Sequence, residues 1–361
     1  AAHDFQQGAG AREVWLTRAT RSEDAPTVPA RWLNRLVNLL RGLPDQQGPE
    51  ALSRMRSRGA HWLALGHALE AARRTPPAPR PSPRPPAPVR PRRLSVTEIQ
   101  TLIRDPYAIY ARHVLRLRPL DPLDRPPDAL LRGTAIHEVL NRFIAAHRDA
   151  PERLTEDALM QEAEEVLAEL VPWALTRRQW QARLARVAPW FLAGEKARRH
   201  MARPAALEVR GQVTLPELGF TLRGTADRID RDAAGRLHIY DYKTGAPPSR
   251  EQQRLFDKQL LLESAMAERG GFEGLAPAAV ARAVYIGLGA NPREAEAPLD
   301  DSPPDRVWQE FAALIRLYSG AERGFTARRA MEKVAHAGDY DHLARFGEWD
   351  DSDPAAPVDL P

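Results

Sequence analysis

The chain of 361 residues contains no cysteine. This absence excludes disulfides, thiolate-bound zinc, iron–sulfur clusters and cysteine nucleophiles. Any bound metal must therefore be held by oxygen and nitrogen ligands.

Long apolar runs and a phosphate-binding glycine loop are also missing. No stretch of about 18 apolar residues is present, and residues 1–10 lack the basic and apolar regions of a secretory leader. The pair Lys243-Thr244 is not preceded by the glycines of an ATP-binding loop. We therefore expect a soluble, cytoplasmic protein without an ATP site.

Proline, by contrast, is abundant: the chain has 33 prolines, nine of them in residues 76–91. Arginines alternate with these prolines, a composition typical of a semi-rigid, solvated linker. A linker whose arginines also contact DNA phosphates is the alternative. The net charge of +4 is uneven, because residues 331–361 carry −6 and residues 1–330 carry +10. A basic body with an acidic tail suits a polyanionic partner.

These shifts in composition predict four segments. They are a poorly autonomous region at 1–74, a Pro/Arg-rich linker at 75–93, a folded domain at 94–330 and an acidic C-terminal tail at 331–361.

The folded domain begins at a capping-box pattern, Ser95-Val96-Thr97-Glu98, ahead of a helix. Apolar residues at helical spacing follow in residues 133–144, and charge-dense helical sequence continues to about residue 199. The period then changes to 2 in three strand-like segments, before a further helix and strand. These are residues 208–213, 220–230 and 237–243, a helix near 255–266 and a strand at 283–286. The order predicts an α/β fold, a small mixed sheet flanked by helices with a large helical insertion.

The second and third strands carry the strongest chemical signal, the acids Asp227 and Asp241 with Lys243. Asp241 and Lys243 are two residues apart and share a face of their strand. A hairpin turn centred on Ala233 would place Asp227 opposite Ile239, so that Asp227 is a diagonal neighbour of Asp241. Two ionised carboxylates about 7 Å apart repel each other, and a hard cation removes that cost. The spacing therefore predicts a Mg²⁺ or Mn²⁺ site.

In this interpretation Asp227, Asp241 and the backbone carbonyl of Tyr242 hold the metal, which polarises a scissile phosphate and activates water. Lys243 orients that water or offsets charge on the phosphoryl oxygens. The competing interpretation is a surface ion pair between Asp241 and Lys243, with Asp227 capping the hairpin.

Three further residues are candidates for the same site. His137 lies beside the apolar stripe of its helix and is either a packed core histidine or one imidazole ligand added to the aspartates. Gln259 is an amide on an apolar helix face and is either satisfied by backbone or bonded to DNA phosphate or Lys243. Glu208, near the start of the first strand, is a weaker candidate for supporting the site or contacting substrate.

These motifs together resemble a known family. Gly-x-x-x-His on a helix, then Gly-x-Ala-Asp-Arg-Ile-Asp, Asp-Tyr-Lys-Thr-Gly and a following Gln resemble the RecB-like branch of the PD-(D/E)XK nucleases over about residues 95–290. The flanks 14–21, 26–36 and 338–345 resemble the C-terminal part of the AddB family of helicase–nuclease subunits. The fold that this implies is the restriction-endonuclease-like core.

The resemblance also implies residue roles. His137, Asp227 and Asp241 match metal ligands, Lys243 the catalytic lysine, and Gln259 the glutamine of a Gln-x-x-x-Tyr motif. The chain departs from the family twice: Glu263 stands at the expected tyrosine, and the four cysteines that hold an iron–sulfur cluster in many AddB proteins are absent.

The function implied is Mg²⁺-dependent cleavage of one strand as DNA is unwound at a double-strand break. The implied partner is an AddA-type helicase–nuclease subunit, and residues 1–74 become the end of a helicase-like module. Two alternatives are a non-catalytic DNA-binding scaffold that keeps the fold and a hydrolase of small phosphorylated molecules.

Overall fold

The structure is a computed structural model that describes residues 2–22, 25–71, 75–120, 123, 126–331 and 337–361. The chain divides into two compact units, Ala1–Pro76 and Pro77–Pro361. Within the described ranges, no helix is long and apolar enough to span a bilayer.

The first unit is mainly helical. Its elements are the helices Ala2–Ala9, Arg31–Arg41 and Gly48–Glu70 and the paired two-residue strands Arg21–Ser22 and Ala25–Pro26. In these described helices only Gly48 and Leu52 are buried. A unit with so small a core has little stability of its own.

The second unit contains the mixed sheet and its helices. In chain order its strands and α-helices are β1 (Pro81–Arg84), β2 (Arg93–Ser95), α1 (Val96–Arg104), α2 (Pro106–Ile109), α3 (Ala129–Ala146), α4 (Glu156–Leu170), α5 (Ala174–Met201), β3 (Ala202–Leu215), β4 (Phe220–Asp232), β5 (Leu237–Lys243), α6 (Arg250–Leu255), α7 (Gln259–Glu268), β6 (Val280–Gly287), β7 (Arg293–Glu296), α8 (Pro304–Ser319) and β8 (Ala356–Asp359). A π-helical turn, Tyr110–Val114, follows α2.

The main sheet is built around β4. Strand β3 pairs antiparallel with one edge of β4 along nearly its whole length. The other edge is shared: β2 pairs parallel with Thr221–Arg223, and β5 pairs antiparallel with Arg228–Arg231. Strand β6 then adds parallel to β5, and β7 antiparallel to β6. This arrangement confirms the α/β class and the mixed sheet, with an antiparallel start.

Helices cover both faces of the sheet. On one face, α1, α7 and α8 pack through buried residues such as Ile99, Leu262 and Phe311. On the other, α3, α4 and α5 pack against Tyr240 and Tyr242 of β5. The strand β5, which carries the candidate acids and lysine, is therefore central and its first six residues are buried.

The interpretation of residues 75–93 as a solvated linker is corrected by the structure. Residues 77–93 belong to the second unit, and β1 pairs parallel with β8. Arg90 is 3% exposed and donates to the carbonyl oxygens of Pro85, Tyr318, Ala321 and Arg323. The five donors of a guanidinium can satisfy carbonyls that proline-rich backbone leaves unpaired. Arg90 therefore links the proline-rich segment to residues 318–323, and its guanidinium is not available to DNA.

The acidic segment also differs from its prediction as a tail. Residues 332–336 lie outside the described ranges, but Tyr340 and Trp349 are buried in the second unit. The acids Asp341 and Asp351 form ion pairs with the buried Arg328 at 3.1 and 3.3 Å. Acidic composition here reflects internal charge pairing and not a solvated extension.

The hairpin register is shifted from its prediction. Ile229 lies opposite Ile239, so the turn is centred on Ala234 and not on Ala233, and Asp227 does not face Ile239. Asp232 fixes this turn, because its carboxylate accepts from the backbone N–H of Arg236 at 2.8 Å and Gly235 adopts a positive φ of 81°.

Candidate active site

Asp227 lies where strands β4 and β5 separate. The ladder between them ends at the pair Arg228 and Tyr240. Beyond it, the backbone N–H of Tyr242 donates to Asp227 Oδ2 at 2.8 Å, in place of a strand partner. Asp227 therefore sits in the fork between the two strands, fixed by a backbone donor.

Asp241 is the buried acid of the site, with a side chain only 3% exposed. Lys243 Nζ lies 2.8 Å from its Oδ2, and Gln259 Nε2 donates to its Oδ1 at 2.6 Å. Gln259 Oε1 also accepts from Lys243 Nζ at 3.0 Å. The amide at the start of α7 thus closes a three-residue ring with the acid and the lysine.

His137 joins the site from the middle of α3. Its Nε2 donates to the backbone oxygen of Tyr242 at 2.6 Å, and its Nδ1 lies 3.3 Å from Asp227 Oδ2. Burial alone would lower the pKa of His137, but the hydrogen bond and charge of Asp227 raise this pKa to about 9. A protonated imidazole therefore lies between two oxygens that were both expected to bind metal.

Glu208 joins the same cluster from β3, at a backbone position with a positive φ of 46°. Ligand atoms of Glu208, His137 and Asp227 all lie within 4.8 Å of one another. Burial and the negative charge of Asp227 raise the pKa of Glu208 to about 6. A left-handed conformation at a non-glycine residue costs free energy and is found where the surrounding structure requires it.

The electrostatics of Asp241 and Lys243 are asymmetric. Burial raises the pKa of Asp241 to about 6, and the charge of Asp227 adds to this effect while Lys243 opposes it. Although burial alone would lower the pKa of Lys243, the adjoining Asp241 raises it, so the ammonium stays charged. The site therefore pairs a charged lysine with a buried acid whose pKa is raised by its burial.

These contacts contradict two features of the competing interpretation. An ion pair between Asp241 and Lys243 exists, but it is not a surface pair, because the acid is buried. Asp227 does not cap the hairpin, since Asp232 does so. Of the residues proposed from sequence, the structure brings Glu208, His137 and Asp227 into one cluster, and Asp241, Lys243 and Gln259 into the ring beside it.

The residues present fit a divalent cation. The carboxylates of Glu208 and Asp227 and the imidazole of His137 offer ligand atoms within 4.8 Å of one another. The backbone oxygen of Tyr242 accepts a hydrogen bond from the same imidazole. Oxygen ligands with one imidazole suit Mg²⁺ or Mn²⁺.

Glu263 is a site neighbour to which the sequence assigned no role. It is 1% exposed, accepts from Gln259 Nε2 at 3.1 Å, and burial raises its pKa well above the usual range. The expected tyrosine of the motif is absent here, but Tyr285 of β6 lies beneath the lysine, with Lys243 Nζ 5.3 Å from its ring centre.

A buried charge network behind the site was also missed. Arg228 is 0% exposed and contacts both Asp230 oxygens at 2.6 Å and Glu195 of α5 at 2.6 Å. Glu195 also binds Arg199 at 2.7 Å. The available signal was Glu195 itself, an acid that continues the apolar stripe Leu184, Ala188 and Phe191 of its helix.

Residues 93–339 match the PD-(D/E)XK nuclease superfamily. The chain belongs to this superfamily. The match spans β2 to the segment after α8 and so includes the whole site, in a chain whose mixed sheet and flanking helices have the form expected of the family.

This PD-(D/E)XK chain is also similar to longer bacterial proteins whose activity is not given. Uncharacterized proteins of Rickettsia bellii and Rickettsia conorii are each 31% identical, over 182 and 189 residues. These matches cover 50% of the chain but only 22% and 23% of the relatives, so the chain spans about a fifth of their length.

Among solved structures, a "Putative exonuclease" from Eubacterium rectale matches at 12% identity with a TM-score of 0.37, over 70% of this chain and 93% of its own.

Proposed function

We propose that this chain is a metal-dependent deoxyribonuclease module that hydrolyses phosphodiester bonds of an unwound DNA strand during end resection for recombination. The observation that carries the proposal is the ring of Asp241, Lys243 and Gln259 beside the cluster of His137, Glu208 and Asp227. A buried acid, a charged lysine and a convergent O/N ligand set are the parts that phosphodiester hydrolysis requires.

A Mg²⁺ or Mn²⁺ ion would be held by Asp227, Asp241, His137 and the Tyr242 carbonyl, with Glu208 close by. When bound, such an ion polarises the scissile phosphate and lowers the pKa of a water molecule. His137 must release its proton to act as a ligand, and the carboxylates must be ionised.

Lys243 is the residue that acts on the substrate directly. Its side chain is 34% exposed and its ammonium is charged. Asp241 and Gln259 hold the ammonium nitrogen itself, at 2.8 and 3.0 Å, which leaves one of its three donors for a phosphoryl oxygen or the attacking water. Negative charge that develops on the phosphoryl oxygens is stabilised by this preorganised donor.

The wider role follows from the resemblance to AddB proteins. We propose that the chain works with an AddA-type helicase–nuclease subunit on double-strand ends and single strands, and that residues 1–74 belong to a helicase-like module. Two observations support this: the matched region makes up only 22% of the length of a relative, and the first unit has a very small core. The sequence pI of about 9.5 suits a nucleic-acid partner.

Cleavage of end-labelled DNA tests the proposal. Wild-type protein should nick single strands with Mg²⁺ or Mn²⁺, and Lys243→Ala should lower the rate by at least about 100-fold, as for loss of one preorganised donor in other enzymes. The control is Lys196→Ala, an exposed lysine on α5 without a partner in the described chain. DNA binding without cleavage by wild type under every metal would favour the scaffolding alternative.

A further inference from the structure

One exposed face of the sheet leads away from the cluster of Glu208 and Asp227. In β4, Leu222 and Ala226 are buried while the alternate residues Arg223 and Thr225 are exposed. Asp227 is the next residue in that alternation, so the exposed face of the strand ends at the candidate metal site.

Neighbouring strands extend the same face, because residues in register share a side of the sheet. Arg210 pairs with Thr225, Gln212 with Arg223 and Thr214 with Thr221 on β3, and Arg93 pairs with Thr221 on β2. We call this surface the platform; its members are Arg93, Arg210, Gln212, Thr214, Thr221, Arg223 and Thr225.

The platform arginines have no internal role. In the part of the chain that the structure describes, Arg93, Arg210 and Arg223 are exposed and make no side-chain hydrogen bond or ion pair. Other exposed arginines, such as Arg250 and Arg345, are paired with acids at 2.7 Å. The acids Glu208 and Asp227 lie at the end of this face that adjoins the candidate metal site.

The opposite face of the same strands explains why the platform is rigid. Leu94, Leu222 and Ala226 pack into the core with α1 and α7. On that face a Cβ at Gly211 of β3 would lie 2.6 Å from the ring of Phe272, which belongs to the segment after α7. A sheet held in this way presents its outer side chains on a fixed surface.

Resting on the function proposed above, we propose that the platform binds the sugar–phosphate backbone of the DNA strand that is cut and guides it to the site. Unpaired guanidinium groups bind phosphate oxygens. The hydroxyls of Thr214 and Thr221 bond each other at 3.2 Å, which leaves one hydroxyl proton of the pair to donate to phosphate. These platform positions carry no aromatic residue that could stack on bases. The platform therefore recognises a DNA strand by its charge and does not read its base sequence.

The length of the platform fits several nucleotides. Asp227 and Thr221 are six residues apart, which is about 20 Å along a strand at about 3.3 Å per residue. At about 3.4 Å per nucleotide in a B-form strand, this length covers about six nucleotides, and fewer if the strand is stretched.

Salt-dependent binding of a fluorescein-labelled single strand, measured by anisotropy in EDTA, tests the platform without cleavage. Each of Arg93→Gln, Arg210→Gln and Arg223→Gln should weaken binding about fivefold at about 0.1 M salt and reduce the slope of log K against log[salt] by about 0.7. The matched control is Arg316→Gln, an exposed, unpaired arginine on α8, which packs on the other face of the sheet. A labelled duplex in parallel shows whether single strands are preferred.

The absence of cysteine offers a second readout. Thr214→Cys carrying a photo-crosslinker should label the DNA strand within about six nucleotides of the cleaved bond, whereas Arg316→Cys should not. Unchanged affinity and slope in all three arginine variants, or equal crosslinking at both positions, would overturn the platform.

The two proposals fail separately. Normal metal-dependent cleavage with unaltered binding by the variants would refute the platform alone. Platform-dependent binding without cleavage under any metal would retain the platform and refute the nuclease activity.

Discussion

The amide of Gln259 is the residue that links Asp241 to Lys243, since it donates to the acid and accepts from the ammonium. We predict that Gln259→Ala lowers the cleavage rate by about 10–100-fold, the usual effect of losing a group that orients a metal site. Single-turnover kinetics measure this loss. The control is Gln161→Ala on the exposed side of α4, whose amide donates to Glu165 at 3.2 Å. Equal rates in the two variants would show that the ring is not required.

Glu195 gives a second prediction at the scale of one residue. Burial alone would raise its pKa, but the charges of Arg228 and Arg198 lower it below the usual 4.5. Because the folded pKa is depressed, the stabilisation is fully present above the unfolded pKa and is lost as pH falls through the folded value. Glu195→Gln should therefore cost about 3–5 kcal/mol at neutral pH and flatten the loss of stability below about pH 4.5.

Urea unfolding of both proteins at several pH values measures this effect. Glu169→Gln, which removes an exposed partner of Arg142, is the control and should leave the unfolding free energy nearly unchanged. A parallel acid profile in wild type and Glu195→Gln would contradict the assignment.

Individual residues show how far the sequence could be interpreted. Alternation correctly placed Asp227 near Asp241, but the turn was misplaced by one residue because Asp232 and not Ala233 decides its geometry. The network of Arg228 and Glu195 joins residues 33 positions apart, and no local pattern reveals that distance.

At the scale of elements, Gly224 sets how closely β4 approaches the start of α1. A Cβ at this position would lie 2.4 Å from Cγ2 of Val96. We predict that Gly224→Ala destabilises the protein by about 1–3 kcal/mol through overpacking. Adding Val96→Ala should reduce that penalty, because the clashing methyl groups are removed. Urea denaturation of the single and double variants measures the effect.

Gly133 provides the matched control. It lies in α3, and a Cβ there would meet no atom within 4 Å. Gly133→Ala should be neutral or stabilising, by up to about 1 kcal/mol. A loss as large as that of Gly224→Ala would show that the close approach is not the cause.

The elements themselves were largely predictable. The capping box of Ser95 and Glu98 is present, as both of its hydrogen bonds show. The period-2 segments became β3, β4 and β5, although β3 is longer than its alternation indicated. Its regular alternation is interrupted near Glu208, where positive φ alters the backbone, and period-based reasoning does not detect such a residue.

At the scale of the whole molecule, the C-terminal residues complete the core of the second unit. Trp349 is 5% exposed, donates to the Ala344 oxygen at 2.7 Å and lies under Arg80. We predict that Trp349→Ala costs about 3–5 kcal/mol. Trp62→Ala in the first unit, where the ring is 54% exposed, should cost much less. Thermal unfolding distinguishes them, and equal stability of Trp349→Ala and wild type would restore the interpretation as a solvated tail.

Composition alone misplaced both ends of this unit for the same physical reason. Proline-rich and acidic segments usually remain solvated because they bury little apolar surface. Here Arg80 is buried and donates to the backbone oxygens of Arg328 and Asp351, and the buried Arg328 pairs with the carboxylate of Asp341. Polar contacts therefore hold these segments in place of apolar ones. The partners of Arg80 lie more than 200 residues away and cannot be inferred from local sequence.

Digestion of an end-labelled DNA strand by wild type and Asp241→Asn, with Mg²⁺, Mn²⁺ or EDTA, tests the central claim most directly. The substitution removes one charge and keeps the shape of the buried side chain. We predict cleavage by wild type with either metal, none in EDTA, and a loss of cleavage in Asp241→Asn while DNA binding is kept. Cleavage by Asp241→Asn at the wild-type rate, or wild-type cleavage that persists in EDTA, would contradict a metal-dependent site at these residues.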